Sequence, residues 1–288
     1  MTRLNGCEIK SEFRESLSAH VESLMSYAET GDKQWTIKGF IDVYRNIYTI
    51  SADTKIISKI LEIHLFPKLL QFADRNGYYV VLADHQNYYP DLSLISKANE
   101  RLKLALDIKT TYRLEDYPGF CNGFTLGSHG KYFINRNSAK NVQFPYSEYA
   151  GHFCLGIIYS RTGKGSCDET RVFRLEEMTS IASVIRDFQV FVCEKWEIAS
   201  DRSGSGNTAN IGSIDYIEDL VKRRGVFLNL GEEVFDDYWM NYNRMRIKDG
   251  RGGTKKLTNL REFLQVKGID LSLINPRKKR TKRTSDDS

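Results

Sequence analysis

Three residues could together carry out chemistry on a phosphate: Asp91, which follows Pro90, and Asp107 and Lys109, which form an Asp-Ile-Lys tripeptide. Side chains alternate between the two faces of a β-strand, so Asp107 and Lys109 would share one face while Ile108 points into the core. A hairpin could place Asp91 beside Asp107, where two carboxylates repel each other unless a divalent cation such as Mg²⁺ bridges them. A lysine on that face could hold an attacking water and offset the negative charge that develops on the phosphate.

The same residues also have a purely structural interpretation. Asp107 and Lys109 could form an exposed ion pair where an apolar run ends, because Leu104 and Leu106 share the core-facing parity of Ile108. An Asp-x-Lys pattern is short enough to occur often by chance, and a Pro-Asp pair 16 residues before Asp107 adds only moderate support. From these residues alone, a metal-assisted active site and an exposed ion pair both remain open.

Apolar spacing predicts the elements that would position these side chains. Two early helices are predicted at residues 11–30 and 53–76, with Asp53 as the N-cap of the second and Pro67 expected to kink or divide it. Strand-like runs lie at residues 78–82, 91–95, 102–111, 155–159 and 190–198. Helical patterns return at residues 214–224, 232–242 and 259–267. This order predicts an α/β fold with a mixed central β-sheet flanked by helices.

The composition is that of a folded globular protein. With 288 residues, 41% of them hydrophobic and 27% charged, the chain suits one large domain or two closely packed ones. No apolar run reaches the roughly 18 residues of a membrane span. Residues 1–10 do not resemble a signal peptide, so a cytoplasmic location is expected. Five scattered cysteines and five histidines without ligand spacing argue against a disulfide scaffold and a zinc site.

Positive charge is concentrated near the C-terminus. Residues 244–256 contain six basic residues against one acidic residue, and residues 277–288 contain six against two. Since the net charge of the whole chain is +5, the remainder is mildly acidic. Two basic segments on an acidic body suggest a polyanion as partner, although a solvated tail is an equal interpretation of residues 277–283. Residues 276–288 are expected to be disordered.

Eight segments resemble, in the same order, the PD…D/E-x-K nuclease superfamily and its EcoRV-type restriction endonucleases. These segments are residues 51–55 leading to Glu62, 86–91, 106–112, 124–127, 195–196, 204–213, 237–239 and 241–242. Together they extend from residue 51 to about residue 243. An ordered set of this kind is far more specific than the catalytic signature alone.

The resemblance implies a role for each matched catalytic residue. Asp91 and Asp107 match metal-binding carboxylates, and Lys109 matches the catalytic lysine. Glu62 matches a third carboxylate, which would serve an auxiliary metal site or orient the others. The implied cofactor is Mg²⁺, which Mn²⁺ should be able to replace. The implied reaction is in-line attack of water on a DNA phosphodiester, leaving a 5′-phosphate and a 3′-hydroxyl without a covalent enzyme intermediate.

A glycine-rich segment, residues 204–213, has the chemistry of a base reader. Glycines let a backbone approach a base edge and an asparagine amide can pair with adenine, although a mobile surface loop could have the same composition. The resemblance implies major-groove contacts by Gly204, Ser205, Gly206, Asn207, Thr208 and Asn210, while Ala209 departs from the family pattern. It implies minor-groove contacts by Gln86 and Asn87, which stand between the departures His85 and Tyr88. Phosphate contacts would come from Thr110, Thr111, Tyr112 and Lys140.

The implied organisation is a single restriction-endonuclease-like domain over residues 1–275. It would comprise a helical and dimerisation part at about residues 1–76, a catalytic core at about 77–200, and the recognition loop with C-terminal helices at about 200–275. Residues 276–288 would form the basic tail.

The implied function is that of a type II restriction endonuclease, a homodimer that cuts duplex DNA at the centre of GATATC to leave blunt ends. A prokaryotic cytoplasm and a cognate DNA methyltransferase belong to this expectation, and a membrane does not. Two alternatives remain: a related nuclease with another site or a repair role, and a non-catalytic DNA-binding protein on the same fold. The complete set of Asp91, Asp107 and Lys109 argues against the second alternative.

Overall fold

A central β-sheet carries the residues singled out above. The computed structural model describes residues 6–85, 88–163, 168–204, 209–249 and 252–282. Its α-helices are α1 (Gly6–Ala28), α2 (Thr54–Arg75), α3 (Ile217–Val221), α4 (Gly231–Asn241) and α5 (Leu260–Lys267). Its strands are β1 (Gly39–Ile41), β2 (Asn46–Thr49), β3 (Tyr78–Leu82), β4 (Leu92–Ser96), β5 (Lys103–Tyr112), β6 (Thr125–Ser128), β7 (Tyr149–Arg161), β8 (Val172–Arg174), β9 (Ile185–Glu194), β10 (Ala199–Ser203), β11 (Asn210–Ser213), β12 (Arg246–Lys248) and β13 (Thr254–Lys256).

The central sheet has five strands in the order β3-β4-β5-β7-β9. β4 pairs antiparallel with both β3 and β5, β5 and β7 are parallel, and β9 returns antiparallel to β7. The predicted α/β fold with a mixed sheet is therefore confirmed. In the β4–β5 register Leu92 lies opposite Leu106. Asp91 and Asp107, the next residues towards the same end of the hairpin, therefore face each other.

The two faces of the sheet are buried against different layers. Leu104 and Leu106 point into a core that also contains Phe13 and Leu17 of α1 and several apolar side chains of α2. Ala105, between them, belongs to a second core that includes the aromatic residues of α4 and α5. The period-two alternation predicted for β5 is thus confirmed. Helices α1 and α2 cover one face, and the C-terminal elements cover the other.

Helix α2 begins where its sequence predicts and continues through Pro67. The carboxylate of Asp53 accepts hydrogen bonds from the backbone N–H groups of Lys55 and Ile56, which confirms it as the N-cap. Pro67 was expected to kink or divide the helix, but α2 is not divided. Buried residues before and after the proline, among them Leu65 and Leu69, pack into the same core. This packing holds the two halves in one helix.

Two predicted elements have other bounds than expected: β9 begins five residues before the predicted strand and ends four residues before its predicted end, and the helix at residues 214–224 is shortened. The strand predicted at residues 190–198 ends at Glu194, and Lys195–Ile198 form a 3₁₀ turn in which Glu197 accepts a hydrogen bond from the Glu194 backbone. The helix predicted at residues 214–224 is reduced to α3, because the backbone groups of Ile214 and Asp215 bond to neighbouring segments instead. A local hydrogen bond closes the turn after β9, whereas at residues 214–215 tertiary hydrogen bonds replace the continuation of the helical pattern.

Smaller sheets flank the central one. β1, β2 and β8 form a three-stranded sheet, β6, β11 and β10 form a second, and β12 pairs with β13. β10 and β11 pair antiparallel and are here called the recognition hairpin, and β11 belongs to the glycine-rich segment of residues 204–213. Among the described helices, none combines the length and the apolar character needed to cross a membrane.

Candidate active site and DNA-binding cleft

Asp91 and Asp107 are interlocked through the backbone of the β4–β5 hairpin. The Asp91 backbone N–H donates to Asp107 Oδ1 over 3.1 Å, and the Ile108 N–H donates to Asp91 Oδ2 over 2.8 Å. These bonds orient both carboxylates relative to each other. The hairpin that was predicted to bring the two aspartates together is therefore confirmed.

Two lysines approach the same oxygen of Asp107. Lys109 Nζ lies 3.1 Å and Lys195 Nζ lies 3.2 Å from Asp107 Oδ2, and Lys109 Nζ is also 3.7 Å from Asp91 Oδ2. Asp107 is only 2% exposed. The structural interpretation as an exposed ion pair is therefore wrong. A carboxylate this deeply buried is retained only with such partners, because burying an unpaired charge is costly.

Lys195 is the residue to which the sequence assigned no role. It begins the 3₁₀ turn after β9, is 5% exposed, and places its Nζ 3.6 Å from the centroid of the Tyr89 ring. The Tyr89 hydroxyl in turn shares a 2.8 Å hydrogen bond with Nδ1 of buried His152. The available signal was that residues 195–196 are one of the segments that match the family. That signal does not identify its partner.

The ionisation of the cluster follows from this arrangement. Burial opposes the charge on Asp107, but the ammonium groups of Lys109 and Lys195 outweigh it and lower its pKa to about 2. Burial raises the pKa of Asp91, although Lys109 partly counteracts this. Burial alone would lower the pKa of Lys109, yet the two aspartates raise it above its ordinary value. At neutral pH Asp107 is thus a carboxylate and Lys109 is a cation.

The cluster opens into a cleft of about 890 Å³. Asp91 lines the cleft, as do Glu62 of α2 and the predicted phosphate-contacting residues Thr110, Thr111 and Tyr112. Thr111 is buried, and its hydroxyl already donates to the carbonyl of Gly123 over 3.3 Å. The structure therefore places these predicted site residues around one concave surface.

The donor chemistry of the cluster fits a hard divalent cation. Asp91 and Asp107 offer carboxylate oxygens, the ligands that Mg²⁺ prefers, and the cleft leaves room for water and phosphate oxygens to complete its shell. Within the described ranges, no three His, Cys, Asp or Glu side chains come together as a ready metal cage. Glu62 stands in the cleft wall, where it pairs with Lys59 at 2.6 Å. Its role as a metal ligand stays a prediction.

The predicted base-reading residues fall partly outside the described ones. Ser205, Gly206, Asn207 and Thr208, and also Gln86 and Asn87, lie outside the described residues. Gly204 and Asn210 stand on either side of residues 205–208 in the chain, with the Gly204 N–H bonded to the Asn210 carbonyl over 2.8 Å. A Cβ at Gly204 would lie 2.5 Å from Thr125 Cγ2, so a larger residue there would force Thr125 of β6 to shift.

The remaining predicted contacts lie at different distances from the cleft. His85 and Tyr88, on either side of Gln86 and Asn87, line the cleft, and their rings are 4.8 Å apart. Lys140 is exposed on a loop and is not among the described residues that line the cleft. Its predicted phosphate contact would therefore lie outside the cleft wall.

Comparison with known proteins gives a consistent result. The family model described as restriction endonuclease EcoRV matches residues 31–268. The type II restriction enzyme EcoRV of Escherichia coli is 36% identical over 216 residues, which cover 74% of this chain and 84% of that enzyme. The match thus extends from the small β1-β2-β8 sheet through α5.

Proposed function

This chain belongs to the EcoRV family of restriction endonucleases, and from this premise we propose that it is a Mg²⁺-dependent homodimer that cuts duplex DNA at GATATC. Membership makes it a site-specific deoxyribonuclease whose family generally uses a divalent metal. The observation that carries the proposal is the interlocked pair of Asp91 and Asp107 with Lys109, at the edge of a cleft. A non-catalytic relative would have no need to keep this buried charge cluster intact.

Each catalytic residue has a defined task in the proposed mechanism. Asp91 and Asp107 would hold Mg²⁺, which when bound polarises the phosphate and makes a water molecule more acidic. Mn²⁺ has the same ligand preference and should substitute. Lys109 remains protonated between the two aspartates, so its ammonium group can orient the attacking water and stabilise the negative charge that builds up on phosphorus. In-line attack would leave a 5′-phosphate and a 3′-hydroxyl.

The preference for GATATC comes from the match of the glycine-rich segment to the family pattern. Asn207 would pair with adenine in the major groove, supported by Gly204, Ser205, Gly206, Thr208 and Asn210. Gln86 and Asn87 would follow the minor groove, and Thr110, Thr111, Tyr112 and Lys140 would contact phosphates. The central TA step is the most easily unstacked, so bending there would add discrimination and bring the cut to the centre, leaving blunt ends.

A plasmid digest tests this proposal directly. We expect fragments with blunt ends at GATATC in Mg²⁺ or Mn²⁺ and no cleavage after chelation of the metal. Sequencing of the fragment ends would identify a different site, which would make the chain a related nuclease with altered specificity or a repair role. DNA binding without cleavage under any of these conditions would instead support the non-catalytic alternative.

The cellular setting is part of the same proposal. An enzyme that cuts a short palindrome would destroy the DNA of its own host unless that site were modified. We therefore pair it with a cognate DNA methyltransferase in a prokaryotic cytoplasm. Methylated GATATC is expected to resist cleavage in the same digest.

Dimer formation is supported by an exposed apolar surface on the small β1-β2-β8 sheet, here called the dimer face. Its exposed side chains include Val43 and Tyr44, which are 89% and 79% exposed, together with Phe40, Ile41, Tyr48 and Val172. Contiguous exposed apolar surface of this kind marks an interaction site. Each chain has one cluster of Asp91, Asp107 and Lys109, so cutting both strands of a palindrome calls for two copies related by a two-fold axis.

The dimer face is tested by a charged double variant. Val43→Asp with Tyr44→Asp should convert the dimer into a monomer of 33.2 kDa, because two desolvated carboxylates would face their symmetry mates. Light scattering after gel filtration gives the mass, and Val266→Asp, at an exposed position of α5, serves as the control. A double variant that stays dimeric and cuts both strands would show that the interface lies elsewhere.

Lys195 is proposed to position Asp107 rather than to touch DNA. Lys195→Met should lower the cleavage rate about 10–100-fold, the usual effect of removing a group that orients a metal ligand. Lys103→Met is the matched control, since Lys103 is also largely removed from solvent but pairs with Glu148 at 2.8 Å. Calorimetry should show that Lys195→Met changes the affinity of the protein for Mg²⁺ and that Lys103→Met does not. Equal behaviour of the two variants would contradict the assignment.

A further inference from the structure

The chain continues beyond the segment that matches its family, and this C-terminal extension (residues 269–282 of the described part) packs back onto the molecule. The side chain of Asn275 donates to the Arg224 carbonyl over 2.7 Å, and its backbone N–H donates to the Val226 carbonyl over 3.2 Å. The extension is therefore tied down before its basic residues begin.

Two arginines of the extension contact the recognition hairpin. Arg277 donates to the hydroxyl of Ser200 over 3.2 Å and lies 3.8 Å from Asp201, both on β10, and it also approaches Asp215 at 3.9 Å. Arg280 binds Asp215, two residues after β11, with its Nε donating over 2.8 Å. The extension thus bridges both strands of the hairpin from one side. Residues 276–282 contain no helix or strand, yet part of the tail predicted to be disordered makes specific contacts.

The contacts of these arginines indicate that they serve as anchors, and Arg277 is also partly buried, whereas Arg280 is exposed. The Nε atom of Arg277 is buried, so the guanidinium is enclosed by protein on that side. Lys278 and Lys279, between the two anchors, are exposed. Residues 276–282 contain five basic and no acidic residues, which more than offsets the two aspartates of the hairpin base. This side of the hairpin is therefore positively charged because of the extension.

The anchored segment borders the DNA-binding cleft. A cavity of about 160 Å³ between the extension and the hairpin is lined by Arg277 and Arg280 and also by residues 122–124. Residues 122–124 line the large cleft as well, together with Asp91. The two arginines that flank Lys278 and Lys279 in the chain thus border a cavity that shares wall residues with the cleft that would receive DNA.

We propose that the C-terminal extension is a DNA-backbone clamp, in which Arg277 and Arg280 anchor it to the recognition hairpin so that Lys278 and Lys279 contact phosphates beside the recognition site. The inference rests on the proposed function, since the partner is the duplex bound in the cleft. Anchoring reduces the conformational entropy that two lysines on a free tail would lose on binding. Contacts of this kind carry no sequence information and should strengthen binding to every duplex alike.

A salt titration of DNA binding tests the clamp. Binding to a GATATC duplex and to a scrambled duplex is measured without divalent metal, so that no cleavage occurs. Lys278→Ala with Lys279→Ala should weaken binding to both duplexes and reduce the slope of log K against log salt by about 0.9 for each lost phosphate contact. Lys97→Ala with Arg101→Ala removes two charges at the opposite end of the β4–β5 hairpin from Asp91 and should leave the slope unchanged.

The anchors are tested by a double-mutant cycle. Arg277→Ala with Arg280→Ala should reduce the slope as much as the lysine variant does, and the fourfold variant should lose no more than either pair, because both pairs remove the same contacts. Additive losses would show that the arginines bind DNA themselves and would overturn the anchoring. If the arginine variant loses thermal stability, the clamp is judged from the salt slope of the lysine variant.

The failure of the clamp and the failure of the proposed function give different results. If the wild-type enzyme cuts GATATC and the lysine variant has an unchanged salt slope, only the clamp is overturned. The lysines would then pair within the protein, for example with Asp219. A wild-type chain that neither binds nor cuts duplex DNA overturns the proposed function itself.

Discussion

Lys109→Ala is expected to lower the rate of GATATC cleavage at least about a hundredfold, while the folded chain continues to bind DNA. The Lys109 ammonium group lies 3.1 Å from Asp107 and 3.7 Å from Asp91, which places a positive charge where the phosphate would react. Its loss removes stabilisation that is needed mainly in the transition state. The rate constant should therefore fall much more than the affinity for DNA. Single-turnover cleavage and metal-free DNA binding measure the two quantities separately.

The control for this experiment is a lysine from the same cleft. Lys59 lines the cleft and pairs with Glu62 but does not contact Asp107, so Lys59→Ala should cut at a rate within a few-fold of wild type. Asp91→Ala should behave like Lys109→Ala, since it removes a proposed metal ligand without removing core volume. Wild-type turnover in Lys109→Ala would end the assignment of this cluster as the active site.

Asn207→Ala is expected to reduce cleavage of GATATC far more than it reduces binding to unrelated DNA. A bidentate amide contact to adenine is worth about 1–3 kcal/mol of discrimination, and a homodimer would lose one such contact in each half-site. The cognate site should therefore lose most of its advantage over single-base variants. The measurement compares cleavage of GATATC with cleavage of these variants, beside binding to an unrelated duplex at one salt concentration.

Lys140→Ala provides the contrast. A lysine that contacts only phosphate should weaken binding to every duplex by a similar factor and leave the preference for GATATC intact. If Asn207→Ala cuts GATATC normally and still rejects the variants, the glycine-rich segment does not read the site. The GATATC specificity would then fall with it. The chemistry assigned to Asp91, Asp107 and Lys109 would be unaffected.

The sequence by itself determined the features that depend on neighbours along the chain. The alternation of β5 assigned Ile108 to the core and Asp107 with Lys109 to the opposite face, because side chains in a strand reverse direction at every residue. Asp53 could be recognised as an N-cap because its carboxylate binds N–H groups only two and three residues away. The hairpin of Asp91 and Asp107 is also local, since β4 and β5 are consecutive strands joined by a short turn.

The tertiary structure alone decided the features that depend on how distant segments are arranged. Lys195 reaches Asp107 because β7 lies between β5 and β9, and no periodicity in the sequence encodes this strand order. Helix α2 continues through Pro67 for the same reason, because long-range packing outweighs local preference. The docking of Arg277 on the recognition hairpin is a further case: composition alone described only a basic tail, whereas the two aspartates that hold it were brought to one place by folding.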